Sequence, residues 1–563
     1  MKKFAYPQSI KVICFFTLVC QAAGIPVLAA PPDSGSALES VKPPAVQMPA
    51  IKPPEIIVED QQLPSDTDSQ QKFLVKAFRI TGESPLPAEE LTNLIDSEAG
   101  KEITLGDLNK LANRITQHLR QQGYLVAFAY IPPQEIKDGI LEMRVVPGKY
   151  GQVKVTGTAR FNQEHLKDML FCAKPGLLIT KGPLERALLL INDLSGVSFK
   201  ATLTPGETAG TADLVIAAAD TAPISAILFA DNWGNRYTGR TRYGTQISVN
   251  NFAGNGDAFI LGGLSTFDGI NDYNFGYSAP LGHNGAKLDV KYSHVGYTLG
   301  EDFADMGATG RAAIMSYSVS YPLVRSRTFS LYGTLGYDKK HLQDDLDTFS
   351  THSPRSSSLW NLGLTGNFAD NWLGGGANAF GLTHYRGNLS FKDDIALAID
   401  DATAQTDGNF SKTVLTYQRQ QYIANNLNFN VNFTGQLADK NLDSSEKLFL
   451  GGADGVRAYP QGEASGDQGY KFTGEFRWRL PGLSGETSNL YLNTFYDYGN
   501  VMINKRPYST GDNRRSLMAT GLGLMWARDR DLAVRMDYAW KLHKEATDTD
   551  NNGRFWLQGV KYF

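Results

Sequence analysis

The chain has 563 residues, too many for one compact domain, and its formal net charge of -4 excludes a global basic field for nucleic acid. Mean hydropathy is -0.28, as in many soluble proteins, but strands that alternate apolar and polar residues cancel in such an average. Beyond residue 30 no run of eighteen apolar residues occurs, so a membrane-spanning mature chain must cross as a closed sheet.

Residues 1–30 read as a secretory signal. Lys2, Lys3 and Lys11 form a basic start, and Val12-Ile-Cys-Phe-Phe-Thr-Leu-Val-Cys20 is apolar but too short to span a bilayer. Pro26 and Val27-Leu-Ala-Ala30 place cleavage after Ala29 or Ala30, and Val19 is bulky for a lipoprotein site at Cys20. Cys172 is then the one cysteine left, which excludes a disulfide framework. Residues 31–72 hold eight prolines and no aromatic residue, so they are expected to form an extended, solvated linker with at most a turn of helix over 36–41.

An internal repeat follows. Arg79-Ile-Thr-Gly82 recurs as Lys154-Val-Thr-Gly157, and Ile103-Thr-Leu-Gly-Asp-Leu108 as Ile179-Thr-Lys-Gly-Pro-Leu184, at offsets of 75 and 76 residues. The first copy reads as a strand over 73–81, a short helix over 87–97 and a longer helix capped by Thr104, with Asp107 three residues on. Leu108, Leu111, Ala112, Ile115 and Leu119 line one face of that helix, Gly123 stops it, and strands over 125–131 and 140–146 follow. The second copy has its long helix over 183–194 and strands over 198–204 and 212–218. Two small α+β modules are therefore expected over 73–148 and 149–221.

From residue 222 to 563 the pattern changes to period two. Leu427, Phe429, Val431 and Phe433 alternate with Asn428, Asn430, Asn432 and Thr434; Leu532, Val534, Met536, Tyr538 and Trp540 alternate with Arg535 and Asp537. One frame suits lipid and the other a wet lumen. Short turns such as Ala253-Gly-Asn-Gly256, 281–285 and 528–531 trade places with long polar loops at 338–355, 386–409, 438–469, 499–515 and 541–552. Short turns in the periplasm and long loops outside mark an outer-membrane β-barrel, here of sixteen antiparallel strands preceded by the two modules. Its last strand ends on the aromatic Phe563, with Lys561 in the same frame.

No nucleophile elbow, H-E-x-x-H, phosphate-binding loop or paired C-x-x-C is present, so neither an enzyme nor a cofactor or metal site is expected. The informative stretch is Gly451-Gly-Ala-Asp-Gly-Val-Arg-Ala-Tyr-Pro460, in the long connection 438–469 between the eleventh and twelfth strands. A surface loop would seldom place Val456, Tyr459 and Pro460 around an arginine, whereas a loop folded into the lumen would. Arg457 would then need a carboxylate, because an unpaired buried charge is costly. Frame parity puts Phe495 and Asp497 of Phe495-Tyr-Asp-Tyr-Gly499 inside, with Glu475 as a second inward acid.

With these motifs the chain resembles the transporters of two-partner secretion of the ShlB/FhaC/HecB type, in the superfamily that includes the barrel-assembly insertase. The resemblance covers the chain beyond the linker. Val456, Arg457 and Tyr459 meet that family's Val-Arg-Gly-Tyr loop motif, with Ala458 where glycine is usual; Asp497 and Gly499, preceded by Phe495, meet its Asp-x-Gly. Asp231-Asn-Trp-Gly-Asn-Arg-Tyr-Thr-Gly239 looks like its first hairpin. The resemblance implies POTRA modules that bind the N-terminal secretion domain of a large unfolded exoprotein, a haemolysin or adhesin. That protein would cross an outer-membrane barrel without nucleotide, and the barrel-assembly machinery would insert the transporter itself. An insertase, a passive porin and a soluble adhesin are the competing readings; module number, the periplasmic repeat and the lipid-compatible frame respectively tell against them.

Overall fold

The computed structural model describes residues 33–43, 56–58, 72–157, 160–529, 531–543 and 552–563. The signal segment lies outside them. Among the described residues of the proline-rich segment are helix α1 (Ser34–Ser40) and strand β1 (Ile56–Val58).

The first module contains β2 (Lys72–Val75), β3 (Ala77–Gly82), α2 (Ala88–Asn93), β4 (Lys101–Thr104), α3 (Leu105–Gln121), β5 (Phe128–Tyr130) and β6 (Ile140–Val146). Thr104 caps α3 by accepting from the Asp107 amide at 3.2 Å, and Leu108, Leu111, Ala112, Ile115 and Leu119 face the core at helical spacing. Gly123 ends the segment at φ +96°, a conformation open to glycine at little cost. Two expectations need correction. The strand over 73–81 breaks at Lys76, whose amide turns to the Gly139 carbonyl at 2.7 Å. Its halves join different sheets: β2 pairs with β4, while β3 lies parallel to β6. The strand over 125–131 shrinks to Phe128–Tyr130, because Leu125 and Val126 pack against the core of the second module instead.

That second module contains β7 (Lys149–Thr156), α4 (Gln163–Met169), α5 (Lys181–Asn192), β8 (Val197–Pro205) and β9 (Thr211–Asp220), with sheet order β1-β8-β9-β7. Leu184, Ala187, Leu188 and Ile191 of α5 cover the sheet. The far side of this helix docks on the barrel. Asp193 accepts from Arg325 at 2.7 and 2.9 Å, and its carbonyl accepts from Lys287 at 2.9 Å. Arg325 and Lys287 adjoin short turns, so this end of the cylinder faces the periplasmic modules.

Sixteen antiparallel strands close the barrel, from Ile224–Asp231 to Gly553–Tyr562. Phe476, Trp478, Leu522, Leu524, Met536, Tyr538, Phe555 and Leu557 are exposed on its outer surface, as a lipid-facing band requires. Phe563 shares that outer frame, and Lys561 pairs with Asp531 at the adjoining turn. Several loops are shorter than expected. Residues 338–355 are mostly strand, because Phe329–Leu346 and Thr351–Asp370 run on to leave a four-residue connection. Strands of 18 and 20 residues exceed the ~9–11 that span the bilayer. Above the lipid both faces are wet, so the apolar frame vanishes while the ladder continues. Likewise 386–409 contains strand through Phe391 and a helix at Asp394–Ala402, and 499–515 holds strand through Met502 and from Arg514.

Candidate functional site in the barrel lumen

The connection between the eleventh strand (Leu427–Ala438) and the twelfth (Gln468–Arg479) turns into the cylinder. Its stem is pinned by ions: Glu446 meets Lys340 at 2.5 Å and Lys412 at 2.9 Å, and Asp467 meets Lys447 at 2.9 Å. Leu448, Leu450, Val456, Ala458, Tyr459 and Ala464 bury themselves against Phe495, Val501, Leu517, Ala519 and Ala539 of the wall. Ala458 adopts no left-handed φ, so alanine meets no backbone strain where the resemblance has glycine.

At the tip, Arg457 is buried and makes a two-pronged contact with Asp497: Nε to Oδ2 at 2.8 Å and Nη2 to Oδ1 at 2.9 Å. Its backbone amide donates to the same Oδ2 at 3.2 Å, and Thr473 donates to Oδ1 at 2.9 Å. Nη1 reaches Glu475 at 3.0 Å and Asp537 at 3.4 Å. The guanidinium lies 3.2 Å from the Phe495 ring centroid, and Trp556 Nε1 donates to the Arg457 carbonyl at 2.6 Å. Arg477 pairs with Glu475, and Arg535 with Asp537. Three guanidiniums therefore face three carboxylates, which satisfies charge where solvent is excluded.

Two small residues make this contact fit. A Cβ on Gly521 would stand 2.2 Å from the Phe495 ring, and one on Gly499 would stand 2.8 Å from Leu450. Gly499→Val is therefore expected to push the loop off the wall at a cost of ~1–3 kcal/mol. Faster cleavage within 438–469 by external protease, in cells whose barrel still shifts on heating, is the measurement; unchanged protection would reject it.

All seven residues singled out from the sequence lie in or against this cluster: Val456, Arg457 and Tyr459 on the loop, Glu475, Phe495, Asp497 and Gly499 on the wall. Tyr459 donates its hydroxyl to the His543 carbonyl at 2.9 Å. Asp537, Trp556, Thr473 and Gly521 escaped the sequence reading, although Asp537 stands in the polar frame of its strand.

Helix α1 lies beside the loop, inside the cylinder. Asp33 and Ser36 form a reciprocal capping box, and no proline interrupts 33–42, so this part of the expected solvated linker is instead helical and packed. The Ser34 amide donates to Asp344 at 2.8 Å, and Arg355 joins Ser34, Asp344 and Asp443 at 3.0, 2.6 and 3.1 Å. At the other end Arg242, held by Asp231, donates to the Ser40 carbonyl at 2.5 Å. A Cβ on Gly35 would fall 2.4 Å from Ser444, so helix and loop touch directly.

Comparisons agree with this architecture. The family described as haemolysin secretion/activation protein ShlB/FhaC/HecB matches residues 210–526, and the ShlB-type POTRA domain matches residues 73–148. The chain is 28% identical to the heme/hemopexin transporter protein HuxB of Haemophilus influenzae over 94% of this chain and 95% of that one. It is 22% identical to the outer membrane transporter CdiB of Dickeya dadantii, over 84% of this chain and 83% of that one. The solved structure of CdiB from Escherichia coli shares the fold with a TM-score of 0.68 at 19% identity, covering 100% of both chains. The chain thus belongs to the ShlB/FhaC/HecB family, outer-membrane barrels with periplasmic POTRA domains that export partner proteins by two-partner secretion.

Proposed function

We propose that Arg457 and its three acids hold the infolded loop in the export-competent position. The POTRA modules, over 73–148 and 149–221, would bind the N-terminal secretion domain of a large unfolded exoprotein. At rest α1 closes the lumen; during export it leaves and the partner crosses extended. The observation that carries this reading is that the lumen is filled by two elements of the chain itself, each held by reversible ion pairs and hydrogen bonds. Folding of the partner outside supplies direction without nucleotide. The similarity to a heme/hemopexin transporter favours a heme-protein-binding exoprotein over a cytolysin as cargo. Outer-membrane lipid covers the apolar band, and the barrel-assembly machinery serves as partner during biogenesis.

A strain lacking the gene is expected to retain one large protein in its periplasm and to release it again when complemented. Deleting 73–148 is expected to stop release; mere slowing would favour the modules as spacers. No difference in exported proteins between the two strains would reject the reading.

A further inference from the structure

The outer wall of the barrel changes chemistry at one height on strands six to nine. These are Ala308–Arg325, Phe329–Leu346, Thr351–Asp370 and Gly376–Phe391, joined in pairs at the periplasmic end by the turns after Arg325 and Asp370. On the seventh strand the outward frame reads Phe329, Leu331, Gly333, Leu335 and Tyr337, and then Lys339, His341 and Gln343. Trp360, exposed on the outside, pairs with Tyr337 on one side and Arg386 on the other, so all three share the outer face. Leu359 and Leu389, in the other frame, are buried inside the cylinder. Arg311 also faces out, opposite Gln343, whose side-chain oxygen accepts from it at 2.6 and 3.1 Å.

Lys339 stands ten residues on from Phe329, and Arg386 ten on from Gly376, each counted from the periplasmic start of its strand. At about 3.3 Å per residue and a tilt of about 40°, ten residues climb about 25 Å, the height of the apolar band. Both cations are therefore level with the headgroups of the outer leaflet. At the same height on strands thirteen to fifteen stand Tyr498, Met518 and Leu542, so the charge belongs to one side of the barrel. Among the described residues no carboxylate pairs with Lys339 or Arg386. The outward acid above them, Asp345, is occupied by Gln343 at 2.9 Å and His352 at 2.7 Å. Ser358 lies opposite Lys339 and Asn388 opposite Ser358, which puts a hydroxyl and an amide between the two cations. Two strand spacings and one outward step separate the backbones of Lys339 and Arg386 by about 12 Å.

We propose that this wall is a binding site for a bisphosphorylated glycolipid of the outer leaflet. Its acyl chains lie on Leu335, Tyr337, Trp360 and Leu362, and its phosphates meet Lys339 and Arg386, with Arg311 above them. Unpaired cations directly above an apolar wall select an amphiphile whose anionic groups sit at the head of its chains; a soluble anion would gain nothing from the wall below. Two cations set apart, with hydroxyl and amide groups between, match two phosphates carried on one sugar pair better than the single phosphodiester of a glycerophospholipid. The arginine fork and the lysine ammonium both form charge-assisted hydrogen bonds to phosphate oxygens. The site is independent of what the lumen carries.

The test titrates full-length transporter in detergent with bisphosphorylated lipid A and counts bound lipid by native mass spectrometry. The unsubstituted protein is compared with Lys339→Gln/Arg386→Gln and with Arg506→Gln/Arg514→Gln, which removes two exposed cations between strands thirteen and fourteen. At about a factor of five for each cation beside an anionic lipid, the first pair is expected to bind about thirtyfold more weakly. The second pair is expected to bind as the unsubstituted protein does. Each single glutamine variant, if the double fails to give a heat-modifiable barrel, is expected to bind about fivefold more weakly. Lipid A stripped of its phosphates is expected to bind weakly and alike to all of them. Equal binding of lipid A by the two double variants overturns the proposal, and so does equal binding of the stripped lipid by the unsubstituted protein. Phosphatidylglycerol that binds as tightly, and is lost with the same two residues, overturns the glycolipid as occupant. Displacement of lipid A by millimolar inorganic phosphate would make the patch a soluble-anion site. Full lipid binding by Lys339→Gln/Arg386→Gln in cells that no longer hold the exported protein at their surface would assign the patch to that protein instead.

Discussion

Arg457→Ala is expected to leave a heat-modifiable sixteen-stranded barrel in the outer membrane and to abolish export. The two halves of this result have separate causes. The closed ladder of backbone hydrogen bonds does not involve the Arg457 side chain, so the cylinder survives. The loop does not fare as well. Removing one guanidinium leaves Glu475, Asp497 and Asp537 facing only Arg477 and Arg535, an excess buried negative charge. Breaking such a pair typically costs ~3–5 kcal/mol, a shift of about 10²–10⁴-fold in the population of the docked loop. Phe495 loses the cation over its ring as well. Arg457→Lys is expected to restore little, since an ammonium cannot grip both Asp497 oxygens while reaching Glu475. The assay pairs an unboiled gel for the barrel with release of the partner into the medium. Normal release by the alanine variant would end the mechanistic role of Arg457.

That arginine was legible from sequence because three local signals coincide: glycines that bend the loop, apolar residues where a solvated loop has none, and frame parity that fixes which neighbouring acids face inward. Asp537 carries the same parity but lies 80 residues along the chain from Arg457, and only the inward curvature of the sheet across the twelfth to fifteenth strands brings it beneath the loop. Trp556 was hidden for a related reason. With Lys561 and Phe563 sharing a frame, the local pattern of the last strand does not say which side meets lipid; the pairing of Lys561 with Asp531 resolves it in three dimensions. Gly521 looks like any strand glycine until Phe495 is seen to occupy the space of its missing Cβ. The proline count hid α1, because composition averaged over 31–72 conceals the proline-free stretch 33–42 and its capping pair. β1 is too short for periodicity to reveal, and exists because β8 offers an edge.

Deleting residues 33–42 is expected to open the lumen, the opposite sign of effect from the arginine variant. Helix α1 has the ~10–12 Å girth of any helix with its side chains. It lies against Tyr297, Leu299, Ala308, Ala312 and Leu342 through Ala37, and against the loop through Gly35. Nothing in the wall depends on it: the Arg242–Asp231 pair closes on itself, and Arg355 keeps Asp344 and Asp443. The loop contact at Arg457 is likewise independent of α1, so the cylinder and the docked loop should both persist around a water-filled gap. Single-channel conductance in planar bilayers is expected to rise several-fold, ~2–5 times, for a helix-sized gap. Cells making the variant should admit large hydrophilic antibiotics. Arg355→Ala, which frees only the N-terminal end of the helix, should fall between, with bursts of the higher conductance in a mostly closed record. Unchanged conductance in the deletion would mean that the loop alone seals the barrel and that α1 is a passenger.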